Sequence, residues 1–145
     1  MAYAEYDFYK KEYCGDTIAE ADFYKWADRA SRQIDVFTFR RLLSAYPTDD
    51  YTDRQIKLCV CELAEKMMET DKYLKASALN EEGHSSIVKS VSAGSESITY
   101  ATGETVYASV IKDERSRKAF YCTTITEYLT GLTDANGICL LYAGV

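Results

Sequence analysis

The chain predicts a mainly α fold: a small helical bundle with a protruding β-hairpin and an extended C-terminal tail. Three observations lead there. Apolar residues recur at three-and-four spacing in several separate stretches. Pro47 is the only proline, which favours long helices. Between Glu82 and Lys112 the helical pattern gives way to a Ser/Thr-rich tongue, Ile87 to Tyr100, that has few large apolar side chains. At 145 residues the chain is long enough for one domain, expected over 1–145, with the hairpin at about 87–110 and the tail at about 133–145.

The first helix is short and aromatic. Tyr3, Tyr6, Tyr9 and Tyr13 fall at spacings of three, three and four on one helical face, and Cys14-Gly15 ends it. Tyrosine stripes of this kind serve equally as core or as subunit interface. The second helix is expected to open with a capping box, Thr17-Ile18-Ala19-Glu20. Its core stripe is Phe23, Trp26, Ala27, Ala30, Ile34 and Phe37, with Asp28, Arg29, Arg32 and Asp35 off it. Thr38 to Tyr46 reads as a short helical piece bearing Leu42 and Leu43, followed by a turn at Pro47-Thr48-Asp49-Asp50. The Asp pair fits solvated turn chemistry better than a carboxylate dyad, because Asp is favoured where its side chain bonds local amides.

The third helix predicts a second capping box, Thr52-Asp53-Arg54-Gln55, and a core face of Ile56, Cys59, Val60, Leu63, Ala64, Met67 and Leu74, ending near Ala76. Glu62 and Lys66 form an i,i+4 pair expected on the exposed side, and Met67-Met68 fits core filler better than a ligand groove. Within the tongue two turns fit, Ala93-Gly94 and Thr102-Gly103, and the register stays open. A hairpin pairs its own backbone groups, whereas an open strand seeks another chain. The last helix is expected from about Asp113, carrying Ala119, Cys122, Ile125, Thr126 and Leu129, until Gly131 stops it. The apolar ending Gly137 to Val145 must pack on its own domain or add to another chain.

Composition narrows function. The formal net charge of −6 argues against a protein that grips phosphates, though not against one that surrounds DNA without holding it. No basic segment followed by an apolar core opens the chain, and no apolar run approaches a membrane span, so an intracellular protein away from membranes is expected. Cys14, Cys59, Cys61, Cys122 and Cys139 are scattered without a C-x-x-C pair and read as reduced thiols, mostly buried. His84, the single histidine, reads as a loop residue. No Walker-type loop, nucleophile elbow or metal spacing occurs, so no enzyme, no cofactor and no metal are expected.

The order of features has a resemblance. Tyr6-Asp7-Phe8-Tyr9-x-x-x-Tyr13-x-Gly15, the run Asp28-Arg29-Ala30-Ser31 and Cys59-Val60-Cys61-Glu62-Leu63-Ala64-Glu65 form its first half. Ser90-Val91-Ser92-Ala93-Gly94-Ser95-Glu96-Ser97-Ile98-Thr99-Tyr100, then Tyr128-Leu129-x-Gly131-Leu132 and Leu140-Leu141-Tyr142-x-Gly144, form its second. Over most of its length the chain resembles the head–tail connector (adaptor) proteins of long-tailed bacteriophages and their prophages, especially those of Gram-positive hosts. Residues 133–139 are an insertion relative to the compact ending of that pattern.

The resemblance implies a ring, commonly of twelve subunits and in some cases monomeric in isolation, seated beneath the portal protein and before the head-closure or tail protein. DNA passes through such a ring without specific binding. It implies assembly in the host bacterial cytoplasm and residence at the virion head–tail junction. The candidate interface residues are Tyr3, Tyr6, Tyr9, Tyr13, Ser92, Ser95, Ser97, Ile98, Tyr100, Leu140, Leu141 and Tyr142, with the exterior of the third helix a further candidate. A non-viral helical protein–protein interaction module and another phage assembly factor are the competing expectations.

Overall fold

The structure, a computed structural model, describes residues 2–83 and 113–142, with the backbone alone for 77–83. The expected hairpin lies outside these residues. Among the described residues the helices are α1 (Tyr6–Lys11), α2 (Glu20–Phe37), α3 (Arg41–Ser44), α4 (Asp50–Gly83) and α5 (Glu114–Leu129). Among the described residues the only extended pairing is an isolated antiparallel bridge between Thr133 and Cys139. The chain divides into two compact units, Met1–Met67 with Tyr121–Val145, and Met68–Phe120.

Among the described residues, most of the buried apolar side chains lie in the first unit. From α2 it takes Phe23, Trp26, Ala27, Ala30 and Ile34, from α4 Ile56, Cys59, Val60, Cys61, Leu63 and Ala64, and from α5 Tyr121, Ile125 and Leu129. The α2 stripe matches the expected spacing except that Phe37 is only half-buried. The Lys25 ammonium and the Arg29 guanidinium lie over the Trp26 ring, 4.8 and 5.0 Å from its centroid. In the second unit Met68 and Thr70 are buried and Lys75 pairs with Asp71 at 2.8 Å.

Helix starts differ from the capping boxes expected. The residue preceding α2 is Ala19, in extended conformation and without a side-chain cap. Thr17 lies two residues ahead of that position, and its own amide and that of Ile18 donate to the Tyr9 hydroxyl, at 2.9 and 3.0 Å, so the Thr17 amide is not the one Glu20 would accept from in a capping box. For α4 the cap is Asp49, whose carboxylate accepts from the Thr52 amide at 2.8 Å while its carbonyl accepts from Asp53. The helix therefore starts ahead of Thr52, which is buried, and continues past Ala76 to Gly83. The Glu62–Lys66 pair, at 3.2 Å, is only about one quarter exposed rather than on the solvent face, and Lys66 also donates to the Thr124 hydroxyl at 2.6 Å.

Helix α5 begins beside Asp113, whose carboxylate accepts from the Arg115 amide at 3.1 Å. Its buried face is Tyr121, Thr124, Ile125 and Leu129; Ala119 and Thr126 are exposed and Cys122 half-buried. The buried face is rotated from the expected stripe: Tyr121 and Thr124, which carry polar groups, take the place of Ala119 and Cys122. Gly131 ends the helix at φ +82, in the left-handed region that favours glycine.

The C-terminal segment is not an extended tail through residue 142. The Asp134 carboxylate accepts from the amides of Asn136 and Ile138, at 2.8 and 3.0 Å, and the Asp134 amide donates to the Ile138 carbonyl at 2.8 Å. Gly137, at φ +80, completes the turn. This local loop returns the chain so that the Leu140 amide bonds the Leu132 carbonyl and the Leu140 side chain is fully buried.

Candidate protein interface

The N-terminal tyrosines are placed by a polar network centred on α4. Tyr9 is fully buried; its hydroxyl donates to Glu65 at 2.6 Å and accepts from the Thr17 and Ile18 amides. Tyr13 stacks on Tyr9 at 5.7 Å and donates to the other Glu65 oxygen at 3.2 Å. Tyr6 meets Phe23 edge-on at 5.6 Å. Tyr3, ahead of α1, donates to Asp35 and packs on Tyr46. Each of the four rings thus has partners within its own unit.

One turn before Glu65 on α4, Glu62 accepts from Tyr128 of α5 and also pairs with Lys66. Burial, then the neighbouring Glu65 carboxylate, pushes the Tyr9 hydroxyl up to about 12. Tyr3, Tyr13, Tyr46 and Tyr128 shift in the same direction, each chiefly through burial and then through a nearby carboxylate. These phenols are neutral donors at physiological pH. Cys61 is pushed up to about 12 by burial and by Glu65, so its thiol is protonated and inert.

A cleft of about 500 Å³ is lined by Ala2, Tyr3, Glu5, Phe8, Tyr46, Asp53 and Lys57. Burial of Asp53 opposes its ionisation, but hydrogen bonds from Lys57 and Tyr46 prevail and hold its carboxyl below the usual range. That lowers its basicity, the opposite of what general-base chemistry near neutrality requires. Among the described residues no three His, Cys, Asp or Glu side chains gather as a metal site, and no helix is long and apolar enough to cross a membrane.

Of the remaining candidates, Leu140 is buried, Leu141 half-buried and Tyr142 exposed. Ser92, Ser95, Ser97, Ile98 and Tyr100 lie outside the described residues. Tyr142 belongs to a surface that sequence reasoning otherwise missed, the corner between α2 and α3. Val36, Phe39, Leu43 and Tyr142 are each more than half exposed there. Phe39 and Arg40 stand at φ +55 and +59, a left-handed pair that non-glycine residues rarely adopt. The Arg41 guanidinium lies 5.8 Å from the Phe39 ring and 5.9 Å from the Tyr142 ring, joining the corner to the C-terminal loop. The Ala135 amide ties that loop to the Ala45 carbonyl at 3.1 Å.

One signal could have found it. Leu42 and Leu43 are adjacent in a four-residue helix, so one must point outward, and Leu43 does. The left-handed backbone carries no glycine or asparagine to announce it. Comparison of the chain with protein-family models, curated proteins and solved structures gives no match.

Proposed function

We propose that this chain is a structural, non-catalytic adaptor of a tailed bacteriophage or prophage, forming a ring between the portal and the head-closure protein or tail through which DNA passes. What supports this reading is the resemblance to head–tail connectors carried by the order of motifs from Tyr6 to Gly144. The surface is compatible with it. Large apolar side chains crowd an exposed corner whose backbone is fixed by hydrogen bonds, as suits docking to another protein. The net charge of −6 suits a wall past which DNA slides unheld.

Light scattering and negative-stain imaging of the purified chain, alone and mixed with the portal protein encoded beside it, test the proposal. Rings, free or templated on the portal, are the expected result. A monomer or dimer that ignores the portal would overturn it in favour of a non-viral interaction module.

A further inference from the structure

Unlike patches occupy the two ends of α2. At its N-terminal end Asp16 and Glu20 accompany Tyr24, all exposed. At its C-terminal end Arg40 and Arg41 stand among Val36, Phe39, Leu43 and Tyr142. The 18 residues of α2 rise about 27 Å, so the two patches are separate surfaces. A chain bearing two different, complementary patches has what a heterologous, head-to-tail contact needs.

We infer that the α2–α3 corner is a docking site for a second copy of this chain and receives the acidic N-terminal end of that copy's α2. The charges choose the occupant. Corner against corner would bring the Arg40 and Arg41 pairs of two copies together, whereas corner against the Asp16/Glu20 end brings opposite charges together. Exposed ion pairs contribute only about 0–1 kcal/mol each, so they set register, and burial of Phe39, Leu43 and Tyr142 against Tyr24 supplies the affinity. Left-handed backbone at Phe39 and Arg40 turns the chain sharply out of α2 and projects the Phe39 side chain into solvent. Closure of such a series of contacts into a ring rests on the connector reading; the pairwise contact does not.

Two variants and their mixture test the contact by sedimentation equilibrium of the full chain at low and high salt. The corner variant is Arg40→Gln/Leu43→Gln, neutral so that it offers nothing to a reversed end, and the end variant is Asp16→Lys/Glu20→Lys, all four positions being exposed so that the fold is spared. Circular dichroism confirms folding. The wild type is expected to associate, and to weaken as salt rises. Each variant alone should associate at least about tenfold more weakly. An equimolar mixture keeps one intact patch on each partner: the corner variant's acidic end meets the end variant's corner, and assembly stops at a one-to-one pair. A wild type that stays monomeric at every concentration, variants that associate like the wild type, or a mixture that does not pair each overturns the inference. If both variants still form rings on the portal, the contact falls and the connector reading stands; if the wild type pairs as described but ignores the portal, the reverse holds.

Discussion

At the scale of single residues, Tyr9 organises the N-terminal segment. Its hydroxyl donates once and accepts twice, so one phenol satisfies two backbone amides and a carboxylate at once. Replacing it by Phe strands the Ile18 amide, a buried contact, and is expected to lower stability by about 1–3 kcal/mol in urea titration. Gly15 explains why no larger residue serves beside it: a Cβ there would stand 2.2 Å from Cε2 and 2.3 Å from Cζ of the Tyr9 ring. Gly15→Ala must displace that ring and should cost about 1–3 kcal/mol by thermal melting. The tyrosines also set an alkaline limit. A phenol whose folded pKa lies above its unfolded value of 10.0 adds stability that is fully present below that value and is lost as pH rises, for Tyr9 through about 12. With Tyr3, Tyr13, Tyr46 and Tyr128 shifted the same way, the part of the phenolate absorbance that a Tyr9→Phe or Tyr46→Phe variant lacks should appear only together with loss of helical signal, and its appearance near the ordinary value in the folded protein would contradict this. On the acid side Asp49, held low first by its bond with Thr52, and Asp53, held low by Lys57 and Tyr46 despite burial, contribute stability that is present above 3.8 and is lost as pH falls through their lower folded values.

At the scale of elements, the helices were legible because their apolar periodicity is strong, and their ends were not. Thr17 and Thr52 both satisfy the local capping pattern, yet tertiary bonds from Tyr9 and a better-placed Asp49 decided the starts. In α5, counting only apolar residues hid Tyr121 and Thr124, whose polar atoms leave most of each side chain free to pack. The C-terminal segment differs for another reason: Asp134 closes a loop through side-chain bonds that no apolar pattern encodes. Because Leu140 is buried, trimming Leu140–Val145 removes core as well as surface, and Leu140→Ala alone should lower stability by about 2–5 kcal/mol. The α2–α3 corner makes the converse prediction. Left-handed geometry costs a side chain about 1–2 kcal/mol and glycine's lost chain entropy about 0.5–1 kcal/mol, so Phe39→Gly should leave the melting temperature unchanged or slightly raised while self-association falls. A loss of both would make Phe39 a folding residue and not a docking one.

At the scale of the whole molecule, the candidate site was legible only in part. The tyrosine stripe was found as a pattern, and its use as an internal support came from Glu65, fifty-two residues beyond Tyr13 in sequence, which no local pattern links to it. Of the corner only Tyr142 was legible, because its other parts, Phe39 and Arg41, come from a left-handed turn and a four-residue helix far from it in sequence. The tongue leaves a prediction that sequence alone motivates. Its Ser/Thr-rich composition offers little core, so deleting Ser90–Thr102 should leave the helical signal and the unfolding midpoint of the remaining protein close to wild type. Assembly with partner components should be abolished. The deletion and the corner variant then separate two kinds of contact. If the corner joins like subunits and the tongue reaches a different protein, the deleted chain still pairs in a salt-sensitive manner while the corner variant does not, and the deleted chain fails only when the portal is added. Pairing lost on deletion with folding retained would move the subunit contact to the tongue. Folding lost with it would make the segment part of the scaffold and remove it from the interaction surface altogether.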